Sequence, residues 1–254
     1  LRDGLRDLGL DDRTVVIVTA DHGEEFQEHG QLGHRRQLYV ESLHVPFVIA
    51  HPDHAGGGTT SSLGSAVDLA PTLLDIAGLD EATVAERFPG LHGRSLLPAV
   101  TGQRVRDGVL SAVEIVTTID DGYWRGLGEP DGPQRVQAGT LRPDFRKRGF
   151  LRGLTDERWT FGRYFSPLEP NRPRTVEALL ADNDVVLYDR DSDPHELTNL
   201  ADDPAHRADV EVLLGRLEAL IDAEIGADDQ PWVTERPNLI GYPTWRGDGA
   251  AAQG

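Results

Sequence analysis

Asp21-His22-Gly23 directly follows the apolar run Val15-Val16-Ile17-Val18-Thr19-Ala20. A buried strand is expected to end there, with two metal-capable side chains at its carboxyl end. In open α/β sheets that edge is where ligands sit. An Asp oxygen and a His nitrogen suit Ca²⁺, Mg²⁺, Mn²⁺ or Zn²⁺, depending on the remaining ligands. Two ligands do not complete a metal site, so other donors are required. His34 follows twelve residues after His22, at the end of a polar loop containing Gly23, Gly30 and Gly33. A donor or cationic side chain there would offset charge developing in a transition state. Glu24 and Glu25 read equally well as acceptors that orient His22 and as a solvated face. The adjacent Arg35 and Arg36 lie where an anionic substrate would approach, although paired surface arginines are common. His29 reads as a loop residue. His51 and His54 stand in a Gly-rich loop with no helix to align them, and His92 and Glu114 belong to no motif.

Elements must position these residues. Leu1–Leu10 reads as the end of a helix and Thr14–Ala20 as a strand covered on both faces. A short helix is expected over Arg36–Leu43, then a second buried strand over Val45–Ala50, with Pro46 at its start. Asp68–Ala77 reads as a helix capped by Asp68 or a neighbour and closed by Gly78. Leu79–Gly108 reads as loop with one helical turn near Leu96. Val109–Val116 is a strand candidate, and Asp120–Arg148 is polar and turn-rich. Gly149–Leu154 and Arg158–Phe165 alternate as a hairpin about Thr155-Asp156-Glu157. Val185–Tyr188 is a further strand. Pro204–Ile225 carries Val210, Leu213, Leu214, Leu217, Leu220 and Ile221 at helical spacing. Residues 226–254 lack periodicity and read as a poorly ordered tail that Trp232 and Trp245 could tether.

The run from Thr14 through Asp21-His22-Gly23 to His34, followed by Leu38-Tyr39-Val40-Glu41-Ser42-Leu43-His44-Val45-Pro46-Phe47-Val48-Ile49, resembles the sulfatase family of the alkaline phosphatase superfamily. Further pieces match in order. They are Asp68-Leu-Ala-Pro71-Thr72-Leu73-Leu74-Asp75-Ile76-Ala77-Gly78, Gly93-Arg94-Ser95-Leu96-Leu97-Pro98, and the late Leu187-Tyr188-Asp189, Asp193-Pro194-His195-Glu196 and Asn199-Leu200. The resemblance runs from about Leu5 to Ile225, and five pieces in order carry more weight than any one.

It implies an α/β fold with an alkaline phosphatase-like large mixed sheet flanked by helices, represented here in part. Thr14–Ala20 and Val45–Ala50 would lie in its mostly parallel portion. Residues 1–108 would be the carboxyl-terminal part of the catalytic domain. Residues 109–225 would form a small antiparallel sheet with one packed helix. Asp21 and His22 match two ligands of one divalent cation, Ca²⁺ foremost, with Mn²⁺, Mg²⁺ or Zn²⁺ as alternatives. His34 matches the catalytic and substrate-binding Gly-His or Gly-Lys position, and Arg35 stands beside it as a substrate-binding candidate. The Asp193-Pro-His-Glu196 cluster matches a structural signature, not a catalytic one. The implied substrate is a small-molecule or glycan sulfate ester.

Sulfatases attack sulfur with a formylglycine made from Cys or Ser in a [CS]-x-[PA]-x-R motif. This chain has no Cys, and Ser192-Asp-Pro194-His-Glu196 has Glu where the motif needs Arg. The expectation is a carboxyl-terminal portion whose formylglycine and paired Asp ligands lie upstream. By itself it would neither turn over substrate nor bind metal tightly. Asp-His in place of Asp-Asn leaves open a relative acting on phosphate diesters or phosphonate monoesters. A non-catalytic homologue serving as a binding module is the alternative of another class, against which the retained Asp21, His22 and His34 argue.

The 254 residues can bury a sizeable core. A net charge of −18 excludes sequence-independent nucleic-acid binding, but not an anionic substrate beside a cation. No apolar run approaches the ~20 residues of a membrane span.

Overall fold

The computed structural model describes residues 1–34, 37–54, 57–115, 119–169 and 172–228. Two compact units divide the chain, Leu1–Val109 and Leu110–Gly254. The element class is mixed α/β, with antiparallel pairing wherever a strand register is defined.

In the first unit, α1 (Arg2–Asp7) ends at Gly9, whose φ of +64° suits glycine. No residue of α1 is buried. Strand β1 (Val16–Thr19) leads into the short hairpin β2 (Glu25–Phe26) and β3 (Leu32–Gly33). After the single turn α2 (Val40–Leu43), β4 (Phe47–Ala50) pairs antiparallel with β1, Val16 opposite Ala50 and Thr19 opposite Phe47. Where a large, mostly parallel sheet is expected, these two strands thus form an antiparallel pair. Among the described residues, the connection consists of a hairpin and one helical turn, without the crossover helix that usually joins parallel strands. The expected cover on both faces is corrected too: Val18 and Val48 are exposed. Their β-branched composition specifies strand but does not supply neighbours.

Helix α3 (Leu69–Ile76) is followed by α4 (Glu81–Arg87) and α5 (Leu97–Val100). α4 falls in a stretch expected to be loop. Its start is set by Asp80, whose side chain accepts from the Thr83 amide at 2.8 Å. The sulfatase-like segments of this unit converge on Asp68, which is fully buried. Its carboxylate accepts from the amides of Ser65 (2.8 Å) and Arg94 (2.7 Å) and from Arg106 Nε (2.6 Å) and Nη2 (2.5 Å). Thr72 Oγ1 donates to the Asp68 carbonyl and accepts from the Leu96 amide at 2.9 Å, and Ser95 donates to Asp75 at 2.5 Å. A Cβ on Gly93 would collide with the Val67 carbonyl. Each of these hydrogen bonds gives a polar group of the interior its partner.

In the second unit, β5 (Val109–Val113) is followed by two short helices, α6 (Asp121–Leu127) and α7 (Gly132–Gln137), in the stretch expected to be turns. Strands β6 (Phe150–Thr155) and β7 (Trp159–Phe165) form the expected hairpin, Thr155 opposite Thr160. Helix α8 (Val176–Asp182) precedes β8 (Asp184–Asp189), which completes a four-stranded sheet in the order β5-β6-β7-β8. Helix α9 (Arg207–Glu224) buries Val210, Leu213, Leu214, Leu217 and Ile221 with Leu154, Phe161 and Leu187. Glu218 lies on the same buried face. It pairs with Arg172 at 2.8 Å and reaches the fully buried Arg163 at 3.5 Å. Burial pulls the Arg163 guanidinium down to about 10, against the opposing pull of Glu218. Residues 229–254, including Trp232 and Trp245, lie outside the described residues.

Candidate active site

Asp21 begins the segment after β1, and its Oδ1 accepts from the His22 amide at 3.0 Å. The Gly23 amide then donates to the Ser42 carbonyl at 2.8 Å, pinning this segment to α2. A side chain is impossible at that point, because a Cβ on Gly23 would overlap the Glu41 carbonyl. The glycine of Asp-His-Gly is thus required by close backbone approach.

The hairpin brings the next residues back. Glu25 stands opposite Gly33 and Phe26 opposite Leu32. The turn closes through the Gln27 amide to the Gln31 carbonyl at 2.8 Å, with Gly30 at φ +72°. One step further along the same register, Glu24 faces His34. His34 Nδ1 lies 2.8 Å from Glu24 Oε1. The His22 and His34 rings lie 3.6 Å apart between centroids, inclined by 32°. His22 Nδ1 is 3.8 Å from Glu24 Oε1 and 3.0 Å from the Gly23 carbonyl, and its Nε2 is 3.6 Å from Asp21 Oδ2.

The cluster is open to solvent. Asp21 is 87% exposed at its side chain, His34 53% and His22 38%. The backbone amides of Asp21 and His22, and then the His22 imidazole, hold the Asp21 carboxyl below its usual range. It is therefore a ready anionic donor. His22, Glu24 and His34 can each turn one ligand atom to a common point, with those atoms all within 4.8 Å of one another.

His22 thus lies against both Asp21 and His34, although the group of possible ligand atoms among the described residues is His22, Glu24 and His34 without Asp21; Arg35 and Arg36 lie outside the described residues. Glu24 engages His34 more closely than His22, a partnership that its spacing in the sequence did not reveal. The signal that could have found it is the Gly30-containing turn, which makes residues 24 and 34 cross-strand neighbours. Glu25 is not on a solvated face. It is fully buried and accepts from Ser42 Oγ at 3.3 Å. His29 stacks on Tyr39, with ring centroids 3.4 Å apart, and lies 3.3 Å from Glu41, which ties the hairpin turn to α2.

The remaining candidates lie elsewhere. His51 and His54 contact each other edge-on at 5.0 Å. Glu114 pairs with the buried Arg152. Asp193 accepts from the Thr198 amide at 2.8 Å, and buried Glu196 accepts from Thr160 Oγ1 at 2.5 Å. Their work is to fix the turn after β8.

Residues 1–79 match the model of the Sulfatase family. The chain is 29% identical over 235 residues to an endo-4-O-sulfatase of Bacteroides thetaiotaomicron, covering 92% of this chain and 39% of that protein. It is 31% identical over 201 residues to arylsulfatase K of Xenopus laevis, covering 78% of this chain and 30% of that protein. Among solved structures, a phosphonate monoester hydrolase of Agrobacterium radiobacter aligns with a TM-score of 0.59 at 28% identity, over 88% of this chain and 37% of that one. The chain therefore spans less than two-fifths of the length of each of these relatives.

Proposed function

We propose that this chain, whose residues 1–79 match the Sulfatase family and which is similar to sulfatases over most of its length, carries the cation-facing and substrate-facing half of a sulfate monoester hydrolase site. The observation that carries this reading is that the half-exposed His22 lies against both Asp21 and His34. Asp21 and His22 are assigned as two ligands of one divalent cation, foremost Ca²⁺. The donor chemistry fits in part: one depressed carboxylate and one imidazole suit a divalent ion, and Ca²⁺ takes further oxygens. When bound, the cation neutralises charge on the ester oxygens.

His34 is assigned to the substrate. With Nδ1 held by Glu24, the half-exposed imidazole keeps Nε2 to donate to an ester or sulfate oxygen as negative charge builds there. The Glu24 carboxylate, 2.8 Å from Nδ1, fixes the orientation of the ring. Arg35, adjacent in sequence, is assigned as a second contact to the anionic group, by bidentate hydrogen bonding. Formylglycine is not supplied by this chain's residues, because neither Cys nor a Ser-x-Pro-x-Arg stretch is present.

A second reading has specific support. His22 stands where many sulfatases carry Asn, and the 28% identical structure is a phosphonate monoester hydrolase. Both substrates are tetrahedral anionic esters that this donor set can bind. The test is hydrolysis of a chromogenic aryl sulfate and of a phenyl phosphonate by the complete product of the encoding reading frame, and by the 254-residue chain alone. Aryl sulfate turnover by the complete product, lost in Asp21→Asn and His22→Ala, supports the first reading. Preference for the phosphonate favours the second. Robust turnover by the 254-residue chain would overturn the assignment of the nucleophile elsewhere.

A further inference from the structure

We propose that His22, Glu24 and His34 form a site for a transition-metal ion of the Zn²⁺ type, which shares His22 with the hard-cation role assigned to Asp21 and His22 but differs from it in the other ligands and in metal preference. It stands on the geometry of three side chains and does not require the hydrolase reading. Two imidazole nitrogens and one carboxylate oxygen are a donor set that Zn²⁺ takes, leaving a fourth position open.

Tetrahedral ligands at Zn–N and Zn–O lengths of about 2.0–2.1 Å stand roughly 3.3–3.4 Å from one another. Here Glu24 Oε1 lies 2.8 Å from His34 Nδ1 and 3.8 Å from His22 Nδ1, values that bracket that spacing. The three ligand atoms fall within 4.8 Å of one another. Small rotations of the half-exposed side chains close the difference, and His22 Nδ1 exchanges its 3.0 Å contact with the Gly23 carbonyl for the ion.

The backbone holds the donors in place. His22 precedes Gly23, which is pinned to Ser42, while Glu24 and His34 are held side by side by the β2–β3 ladder. Such a site prefers borderline ions to Ca²⁺, because two of its three donors are nitrogen and Ca²⁺ takes six to eight oxygens. An ion bound there also withdraws His34 and Glu24 from any substrate, so it would inhibit a reaction that uses them.

The experiment titrates the 254-residue chain with Zn²⁺ alone, read by calorimetry and by competition with a chromogenic chelator, and then with Ca²⁺. The expected result is one saturable equivalent of Zn²⁺ and much weaker Ca²⁺ binding. His22→Ala, His34→Ala and Glu24→Gln should each weaken Zn²⁺ by at least about tenfold. Asp21→Asn should weaken it less than any of these, and His51→Ala should leave it unchanged. Circular dichroism confirms that each variant remains folded. Absence of saturable Zn²⁺ binding would overturn the proposal. So would affinity unaltered by His34→Ala and Glu24→Gln, or Ca²⁺ binding as tight as Zn²⁺. None of these outcomes depends on whether the complete protein hydrolyses a sulfate ester.

Discussion

Glu24 and His34 are cross-strand neighbours, Oε1 to Nδ1 at 2.8 Å, although ten residues separate them in the chain. The two-residue strands β2 and β3 bring this about, so the site depends on a hairpin that is tied to α2 by Glu25 with Ser42 and by His29 with Glu41.

Gly23 is where that dependence is sharpest. Gly23→Ala places a methyl group into the Glu41 carbonyl, which must move with the rest of α2. The expected loss is about 1–3 kcal/mol of stability, the usual cost of overpacking. It would be measured by urea unfolding of the 254-residue chain. An unaltered midpoint would show that the contact between this loop and α2 is looser than described.

Asp68 and Arg106 are a bidentate ion pair in the interior of the first unit, with side chains 0% and 3% exposed. Arg106→Met strands a buried carboxylate that retains only its amide donors, and about 3–5 kcal/mol is expected to be lost. The double variant Asp68→Asn, Arg106→Met removes the stranded charge and should recover part of that loss. A double-mutant cycle on unfolding free energy checks the coupling.

Glu218 has the corresponding role in the second unit. Glu218→Gln removes the negative charge nearest the fully buried Arg163, whose Nε and Nη1 have no hydrogen-bond partner among the described residues. The expected cost is again about 3–5 kcal/mol. Glu218→Asp should fall between the variant and the parent in the same unfolding measurement.

Acid should weaken the second unit. The Arg158 guanidinium, bonded at 2.7 and 2.9 Å, holds the Asp189 carboxyl below its ordinary value of 3.8, with help from the Asp191 amide. A depressed carboxylate stabilises the fold above its unfolded-state pKa. That contribution fades as pH falls below about 3.8 and through the lower folded-state value. Unfolding measured from pH 6 downward should therefore show a steeper acid loss in the parent chain than in Asp189→Asn. Parallel curves would contradict this.

Much of the chain could be read before any coordinates. Strand β1, the β6–β7 hairpin and the apolar stripe of α9 follow from local patterning, because alternation and 3.6-residue spacing report directly on buried faces. Asp21, His22 and His34 stood out because histidine is scarce, nine in the chain, and because Asp21-His22 directly ends an apolar run. α6 and α7 were obscured by Gly122, Gly126 and Gly132, which weaken helix propensity but do not forbid short helices. The β1–β4 direction was obscured because two apolar runs look alike whichever way they pair. Arg106, Arg152 and Arg163 were hidden for a different reason. An arginine reads as surface until its buried carboxylate partner, up to 76 residues away in sequence, is known.

The central claim is that Glu24 acts through His34. Its most direct measurement is a double-mutant cycle on kcat/KM for an aryl sulfate, using the complete product of the encoding reading frame. His34→Ala is expected to lower kcat/KM by about 100- to 1,000-fold, and Glu24→Gln by about tenfold. Combining the two should cost no more than His34→Ala alone. Effects that multiply in the double variant would show that the two residues act independently, and the account of the site would fail.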